Sequence, residues 1–230
     1  MIDRMNLLFT GASGFLGYNV LPLLKKKYSV ETIGLTSQDD YIVNLAAEIP
    51  KLAGKYDVIL HVAGKAHSLP KTEAEKRLFF DVNLQGTKNL CTALEQSGIP
   101  KSFIFISTVA VYGCDSGENI TEEYPLNGTT PYALSKIKAE KYLEEWCAMH
   151  NVKLSILRPS LIAGPNPPGN LGAMIHGIKS GKYLSIAGGK AQKSVLMVQD
   201  IANLVPLLIE KGGIYNVCDS YQPSFRELEM

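Results

Sequence analysis

The chain reads TGASGFLG at residues 10–17, between a short apolar strand and the start of a helix. Glycines at 11, 14 and 17 let the backbone turn tightly and approach an anion closely, while the free N–H groups of a helix start attract a pyrophosphate. The spacing G-x-x-G-x-x-G differs from the general G-x-G-x-x-G fingerprint. A turn that needs glycine for structure alone is the alternative, but the place after the first strand favours a dinucleotide site.

The remainder of the chain alternates short buried strands with longer helical stretches. The strands are rich in Ile, Leu, Val and Phe, which is typical of strands covered by helices on both faces. Predicted strands span residues 6–10, 29–34, 57–62, 102–107 and 153–157, and predicted helices span 14–27, 73–97 and 131–150. This order predicts an α/β fold with a doubly wound parallel sheet and right-handed crossovers.

The pattern changes after residue 158, where glycine and proline crowd into residues 164–169 and predict a loop. Helices at 171–180 and 199–211 then alternate with strands at 194–198 and 214–217. We therefore predict a dinucleotide-binding domain at residues 1–160 and a small substrate lobe at 161–230. Ser224 and Glu227 have the spacing of a capping box, so residues 223–230 predict a helix that stops almost as it begins, which suggests a truncated chain.

Composition narrows the function classes. Lys and Arg number 23 against 22 for Asp and Glu, and the charges are scattered, so no patch for nucleic acid or anionic lipid is expected. The four cysteines and four histidines form no paired or metal-ligand spacing. No signal peptide or membrane-spanning run is visible. These observations predict a cytoplasmic, reduced and metal-free protein without membrane or nucleic-acid partners.

The candidate reacting groups are Ser107, Tyr132 and Lys136. Residues four apart share one helix face, so Tyr132 and Lys136 project together from the helix that Thr130 and Pro131 begin. An ammonium about 4 Å from a phenolate, at an effective dielectric near 20, stabilises it by about 4 kcal/mol. We therefore expect Lys136 to lower the pKa of Tyr132 towards neutrality. Ser107 ends a strand and is expected to hold the substrate oxygen whose proton the phenol transfers.

The end of the second strand bears on the choice of dinucleotide. An acid there usually binds the ribose 2′-hydroxyl of NAD, but the chain has Gly34 at this place and no carboxylate until Asp39. Glu31 lies inside the strand and is the weaker candidate. The gap leaves room for a 2′-phosphate on Thr36 and Ser37, which mildly favours NADP. His61 is open to two interpretations, a packed core histidine or a catalytic one.

Six motifs in order resemble the extended short-chain dehydrogenases/reductases of the NAD-dependent epimerase/dehydratase (nucleotide-sugar) group. They are TGASGFLG (10–17), HVAG (61–64), DVNLQGT with Asn83, STVAVYG (107–113), PYALSK (131–136) and LRPSLIAGP (157–165). The resemblance implies a Rossmann fold in which Ser107 orients a sugar hydroxyl, Tyr132 is the acid/base and Lys136 anchors the nicotinamide ribose. It also implies a nucleotide-sugar lobe, of which we expect part to be absent here, because family members are usually longer.

The resemblance also assigns binding residues. Asn44-Leu45 replaces an Asp-Leu pair that contacts the adenine. The substrate residues are Thr108, together with Asn170 and Lys193 at the diphosphate, although Lys193 is open to the alternative of a solvated loop charge. The residues predicted to contact NAD(P) are Gly11, Ser13, Gly14, Phe15, Leu16, Gly17, Thr36, Asn44, Leu45, Val62, Ala63, Gly64, Asn83, Tyr132, Lys136 and Pro159.

These features lead to one main hypothesis and one alternative. The main hypothesis is a nucleotide-sugar oxidoreductase acting at the sugar C4, either a UDP-sugar 4-epimerase or a 4-ketoreductase. Dehydration is less expected, because Thr108-Val109 supplies no acid and base beside Ser107. The alternative is a non-catalytic module that senses NADP(H) or binds a partner. A homodimer is expected through helices 73–97 and 131–150, which carry apolar residues such as Tyr142, Leu143 and Trp146.

Overall fold

A computed structural model of the chain describes residues 4–66, 68–185 and 187–229. Its centre is a seven-stranded sheet with neighbours in the order β3-β2-β1-β4-β5-β6-β9, all parallel. A second sheet pairs β7 with β8. The strands are β1 (Asn6–Thr10), β2 (Ser29–Gly34), β3 (Tyr41–Ile42), β4 (Val58–His61), β5 (Ser102–Ile106), β6 (Lys153–Pro159), β7 (Leu161–Ala163), β8 (Val195–Met197) and β9 (Gly213–Val217). The predicted doubly wound parallel sheet is confirmed.

Helices cover both faces of the large sheet. They are α1 (Phe15–Leu24), α2 (Glu73–Phe80), α3 (Gly86–Ser97), α4 (Pro131–His150), α5 (Gly169–Lys179), α6 (Val198–Lys211) and α7 (Phe225–Leu228). Helix α4 has the predicted bounds, and the Thr130 hydroxyl accepts a hydrogen bond from the backbone N–H of Ala133 at 3.1 Å, as expected of an N-cap. Helix α7 begins with the predicted capping box of Ser224 and Glu227. Met230, the last residue of that prediction, lies outside the described residues.

Two helices differ from the prediction. Helix α1 ends at Leu24, three residues early, because the chain turns there to bury Tyr28 before β2 begins. The helix predicted over residues 73–97 is divided by one π-helical turn at Asp81–Gln85. The wider turn places Asn83 in the interior, where its backbone carbonyl accepts a hydrogen bond from the Thr87 hydroxyl at 2.7 Å. Such turns are frequent at functional sites.

Side chains of the central strands alternate between two apolar layers, as the period of a strand requires. Leu7 and Phe9 of β1 pack with residues of α1 and α6, whereas Leu8 packs on the opposite face with residues of α3 and α4. Phe103 and Phe105 of β5 join this second layer, which also holds Trp146. Every central strand is therefore covered on both faces, which explains its continuous apolar sequence.

The last third of the chain contributes to both sheets. Strands β7 and β8 form the small sheet, and β7 occupies part of the segment for which no strand was predicted. Strand β9, however, pairs with β6 and completes the large sheet, while α6 packs in the layer of α1. The sequence assigned residues 198–217 to the small lobe, whereas the structure places them with the large sheet. The sequence also did not predict β3, because two residues are too few to show a period.

Candidate active site

A cavity of about 590 Å³ lies at the carboxyl ends of the central strands. In open α/β sheets this edge is where ligands bind. The predicted residues that line the cavity are Gly11, Ser13, Gly14, Phe15, Leu16, Asn44, Leu45, Val62, Ala63, Gly64, Ser107, Thr108, Tyr132, Lys136 and Pro159. The cavity is therefore lined by residues that are far apart in the sequence, from the turn after β1 to the end of β6.

The first turn has the shape that an approaching diphosphate needs. Gly11 has a φ of +82°, and a Cβ there would lie 2.7 Å from the backbone nitrogen of Ala63, so only glycine fits. Gly14 caps α1, whose first turn carries no acidic residue. The positive end of the helix dipole is therefore available to an anion. Gly17 does not line the cavity: a Cβ there would lie 2.3 Å from the carbonyl oxygen of Ala12, so this glycine allows close packing.

The charge of the cavity wall suits an anionic cofactor. Among the described residues that line it, the charged ones are Lys65 and Lys136, and both are cationic. The sequence did not single out Lys65, although it directly follows the HVAG motif. The backbone N–H of Lys65 donates to Oδ1 of Asn83 at 2.7 Å, and the backbone carbonyl of Lys65 accepts from Nδ2 of Asn83 at 3.1 Å. The Lys65 ammonium lies 5.4 Å from the centre of the Phe79 ring. The cavity, its glycine turn and its positive charge fit a dinucleotide.

Tyr132 and Thr108 form the potential acid/base site. Tyr132 is the second residue of α4, lines the cavity and packs against Phe79 with ring centres 6.2 Å apart. Burial raises the pKa of Tyr132 above its usual value, and interaction with the Thr108 side chain opposes that rise. Lys136 is not among the groups that move this pKa within the chain. The predicted lowering by Lys136 is therefore not found, because the Lys136 ammonium is directed elsewhere.

Lys136 lies at the floor of the cavity. Its side chain donates to the carbonyl oxygen of Ile106 at 2.8 Å and stands 4.5 Å from the centre of the Phe105 ring. Burial lowers its pKa to about 8, and the negative charge of Glu140 opposes this effect. Lys136 therefore remains mostly protonated at neutral pH. A protonated lysine here can donate to a ribose hydroxyl.

Ser107 belongs to a buried polar network that the sequence did not reveal. Its hydroxyl donates to Glu140, whose carboxylate also binds Arg158 at 2.7 Å. Arg158 in turn donates to the hydroxyl of Tyr112 and to the carbonyl oxygen of Glu122, both at 2.9 Å. Because the proton of Ser107 is given to Glu140, the hydroxyl faces the cavity as an acceptor. Glu140 lies one helical turn beyond Lys136, and that spacing was the only available signal for it.

His61 is a packed core histidine. Its Nδ1 lies 2.7 Å from the Thr10 hydroxyl, and its Nε2 lies 2.9 Å from the Thr87 hydroxyl. Since Thr87 donates its own proton to the carbonyl of Asn83, it accepts from Nε2–H, which assigns the neutral tautomer. Burial lowers the pKa of His61 to about 3, and the charge of Lys136 adds to this. Both ring nitrogens are thus occupied by structural hydrogen bonds.

Four further predicted residues lie away from the cavity wall. Asn83 is buried behind Gly64, where it binds Lys65 and the Ser135 hydroxyl. Thr36 gives both its backbone N–H and its hydroxyl to Asp39, at 3.0 Å and 2.7 Å. Asn170 and Lys193 are exposed, and the backbone N–H of Lys193 donates to Pro223. The roles assigned to these residues stay predictions.

The described residues contain no cluster of three metal-ligating side chains. Nor does any helix within the described ranges combine the length and apolar character needed to cross a bilayer. A parallel sheet with a glycine turn after β1, and a Tyr-x-x-x-Lys pair beside its cavity, is typical of short-chain dehydrogenases/reductases. That is the class of protein that this fold and cavity define.

Comparisons with known proteins narrow the class to a family. The model of the NAD dependent epimerase/dehydratase family matches residues 7–218. N-acetyl-alpha-D-glucosaminyl-diphospho-ditrans,octacis-undecaprenol 4-epimerase of Escherichia coli O157:H7 is 30% identical, over 97% of this chain and 70% of that protein. GDP-6-deoxy-D-mannose reductase of Pseudomonas aeruginosa is 26% identical, over 96% of this chain and 77% of that protein.

Solved structures agree with this assignment. RMD from Pseudomonas aeruginosa, complexed with NADPH, is 25% identical with a TM-score of 0.83, and the match covers 98% of this chain and 81% of that one. UDP-glucose 4-epimerase of Thermus thermophilus, in complex with NAD, shows the same fold with a TM-score of 0.78 at 24% identity, over 98% and 81% of the two chains. The chain belongs to the NAD dependent epimerase/dehydratase family and is an NAD(P)-dependent enzyme of the extended short-chain dehydrogenase/reductase type.

Proposed function

We propose that this enzyme oxidises or reduces the C4 carbon of a sugar carried on a diphosphate, with a UDP-sugar as the first candidate substrate. The observation that carries the proposal is that Ser107, Thr108, Tyr132 and Lys136 line one cavity beside the glycine turn. A hydroxyl beside a buried phenol can hold the substrate oxygen whose proton the phenol transfers. Catalysis at this position is favoured over a non-catalytic sensor.

Different residues bind the sugar oxygen and transfer its proton. We assign the holding of that oxygen to Thr108, because the Ser107 proton is already given to Glu140. Tyr132 donates its phenolic proton to the sugar oxygen when a ketone is reduced, and as the phenolate it takes the hydroxyl proton when the carbon is oxidised. The glycine turn and Lys136 would hold NAD(P), which would accept or donate the hydride when bound.

Two outcomes use the same residues. If a 4-keto intermediate is reduced on its other face, the enzyme is a 4-epimerase, and if a 4-keto sugar is reduced once, it is a 4-ketoreductase. Named relatives include 4-epimerases and a GDP-6-deoxy-D-mannose reductase. One relative is named for a sugar on a polyprenyl diphosphate, so we include that carrier as a second candidate for the diphosphate-linked substrate.

Incubation of the purified chain with UDP-glucose, UDP-N-acetylglucosamine or a UDP-4-keto sugar and NAD(H) or NADP(H) tests the proposal, with the products resolved by nuclear magnetic resonance. A parallel arm uses N-acetylglucosamine linked to a polyprenyl diphosphate. We expect a C4 epimer, or net consumption of NAD(P)H with a 4-keto sugar. Replacing Tyr132→Phe is expected to lower kcat by about 100-fold or more, because the proton carrier is removed.

Tyr142→Phe is the matched control, since Tyr142 is a half-buried tyrosine of the same helix and does not line the cavity. We expect it to turn over like the parent. A Tyr132→Phe variant as fast as Tyr142→Phe would overturn the mechanism. If neither carrier is turned over while dinucleotide still binds, the non-catalytic alternative gains support.

A further inference from the structure

Three charged side chains are buried where α4 packs against β5 and β6. Lys136 and Glu140 belong to α4 and are 4% and 1% exposed, and Arg158 belongs to β6 and is 2% exposed. Burying a charge is costly unless an opposite charge balances it. Asp39, the other buried acid of the described residues, is bound to Thr36 after the end of β2. Within the described part of the chain, Glu140 is therefore the one buried anion beside two buried cations.

The Glu140 carboxylate is held in one orientation. Arg158 donates from Nε to Oε1 at 3.3 Å and from Nη2 to Oε2 at 2.7 Å. The Ser107 hydroxyl also donates to Oε1. A guanidinium that binds both oxygens of a carboxylate sets the direction of that carboxylate. Glu140 therefore has a fixed place behind the cavity wall, to which Ser107 belongs.

Lys136 lies one helical turn before Glu140, so the two side chains share a face of α4. The Lys136 ammonium donates to the carbonyl oxygen of Ile106 at 2.8 Å. Ile106 directly precedes Ser107, which binds Glu140. Two consecutive residues at the carboxyl end of β5 therefore contact the cation and the anion of α4.

Glu140 is the charged group that acts on Lys136. Burial lowers the pKa of Lys136 to about 8, and the negative charge of Glu140 opposes this effect. The groups that face Lys136 from the neighbouring strands are the His61 ring of β4 and the Phe105 ring and Ile106 carbonyl of β5. His61 stays neutral because burial lowers its pKa to about 3. Tyr132, one turn earlier on α4, stays a neutral phenol because burial raises its pKa. Without Glu140, the pKa of Lys136 would be lower still.

We propose that Glu140 is a positioning residue for the proposed reaction: it balances the charge of the Lys136 ammonium and thereby keeps that group able to hold the dinucleotide. Glu140 acts through Lys136, since it does not itself line the cavity. A charged Lys136 donates a stronger hydrogen bond to a ribose hydroxyl than a neutral amine does. The effect on binding rests on the role of Lys136 in the proposed function, whereas the proton on Lys136 can be measured without any ligand.

Titration of Lys136 by nuclear magnetic resonance tests the charge balance directly. Lysine labelled with a carbon isotope at Cε reports the protonation of each side chain, and a Lys136→Met variant identifies the signal. We expect the parent to titrate near pH 8. Glu140→Gln is expected to titrate at least about one pH unit lower, because a nearby negative charge favours the charged form of a lysine.

Glu144→Gln is the matched control, since Glu144 is the carboxylate one turn further along α4 and lies at an exposed position. Its Lys136 should titrate as in the parent. If Glu140→Gln does not fold, a double variant with Arg158→Met takes its place, because it leaves no unpaired charge of the buried pair. Arg158 is not among the groups that move the pKa of Lys136, so the double variant should show the same fall.

Dinucleotide affinity, measured by fluorescence titration at several pH values, gives a second readout. We expect the affinity of the parent for NADH or NADPH to fall above about pH 8, as Lys136 loses its proton. Glu140→Gln should move this fall to lower pH by the shift seen for Lys136, and Glu140→Asp, which keeps the charge, should restore it. A purely structural role would weaken binding equally at every pH.

The inference is overturned if Lys136 titrates at the pH of the parent in a folded Glu140→Gln or double variant. It is also overturned if Glu144→Gln moves the titration of Lys136 as far as Glu140→Gln does. If neither dinucleotide binds to the parent, the proposed function falls, and the titration of Lys136 alone decides whether Glu140 balances its charge.

Discussion

Ser107 and Thr108 are neighbouring hydroxyl residues whose surroundings differ completely. Ser107 directly follows β5 and donates its proton to Glu140, a residue only 1% exposed, whereas the Thr108 hydroxyl accepts from the backbone N–H of Ala110 at 3.2 Å. Both residues line the cavity, but the Ser107 hydroxyl is also bound to a carboxylate in the protein interior. The sequence favoured Ser107 for the substrate oxygen, and we now assign that task to Thr108.

Glu140 and Arg158 form an ion pair whose side chains are 2% and 3% exposed. Removing one partner of such a pair leaves an uncompensated charge in the interior. We expect Glu140→Gln to lower the free energy of unfolding by about 3–5 kcal/mol, measured by urea denaturation. Glu145→Gln, at an exposed position of the same helix, is expected to change it by no more than about 0.5 kcal/mol.

The pair energy itself is obtained from a double-mutant cycle with Arg158→Met. We expect the double variant to lose less stability than the sum of the two single variants, because each single change leaves its partner unpaired. Equal stability of Glu140→Gln and Glu145→Gln would show that this ion pair does not hold the network behind Ser107.

At the scale of elements, the ends of β1, β4 and α3 are joined through one side chain. His61 ends β4 and bonds to Thr10 at the end of β1 and to Thr87 near the start of α3. Thr10 also accepts from the backbone N–H groups of Val62 and Ala63, at 3.2 Å and 3.1 Å. This connection fixes the HVAG segment that lines the cavity.

Burial lowers the pKa of His61 to about 3. We therefore expect the free energy of unfolding to fall in mild acid. The unfolded histidine takes up a proton below about pH 6.5, whereas the folded one stays neutral, so the unfolded state gains protons and stability falls as pH falls. Between pH 6.5 and 4.5 we expect the parent to lose about 2 kcal/mol more than His61→Gln does.

Urea denaturation at several pH values measures this difference in slope. His176→Gln serves as the control for the loss of a histidine, since His176 lies at an exposed position of α5, outside this connection. A His61→Gln variant with the parent's slope would mean that His61 does not stay neutral in the folded chain.

At the scale of the whole molecule, α6 and β9 belong to the same core as the first strands. Leu208 of α6 is buried in the layer that contains Leu7 and Leu24, and its carbonyl accepts from the Ser155 hydroxyl at 2.9 Å. Trp146, the only tryptophan of the chain, lies in the layer on the opposite face of the sheet. We therefore expect the two layers to unfold together.

Leu208→Ala is expected to lower the stability by about 2–5 kcal/mol, because it leaves a cavity in this core. Urea denaturation followed by Trp146 fluorescence and by circular dichroism should give the same shifted midpoint. Leu207→Ala, at a position 42% exposed, is the matched control and should shift it by no more than about 0.5 kcal/mol. Separate transitions for the two signals would contradict a single folding unit.

Two of the three residues that suggested a homodimer lie in the core of the chain and not on its surface. Leu143 and Trp146 are buried in the chain's own core, and Trp146 donates to Glu95 at 2.7 Å. Tyr142 is half-buried. The dimer stays a prediction, without support from the side chains that motivated it.

Sequence alone was enough for the fold class, for most of the cavity wall and for the family motifs. Alternating apolar strands, the glycine turn and the cap of α4 are local patterns, and each is set by residues within one or two turns of chain. The positions of Gly11, Tyr132 and Lys136 followed from those patterns, because a parallel sheet brings the ends of its strands to one edge.

Only the tertiary structure decided which polar groups meet across long stretches of chain. Glu140 reaches Ser107 from 33 positions away, and Arg158 joins them from the next strand. Asp39 returns to Gly34 only because a specific turn folds back on the strand end. Periodicity tells which face of an element is buried, but the partner on that face depends on the path of the whole chain. The sequence therefore determined where the dinucleotide site would be, and the packed structure determined the charges around it.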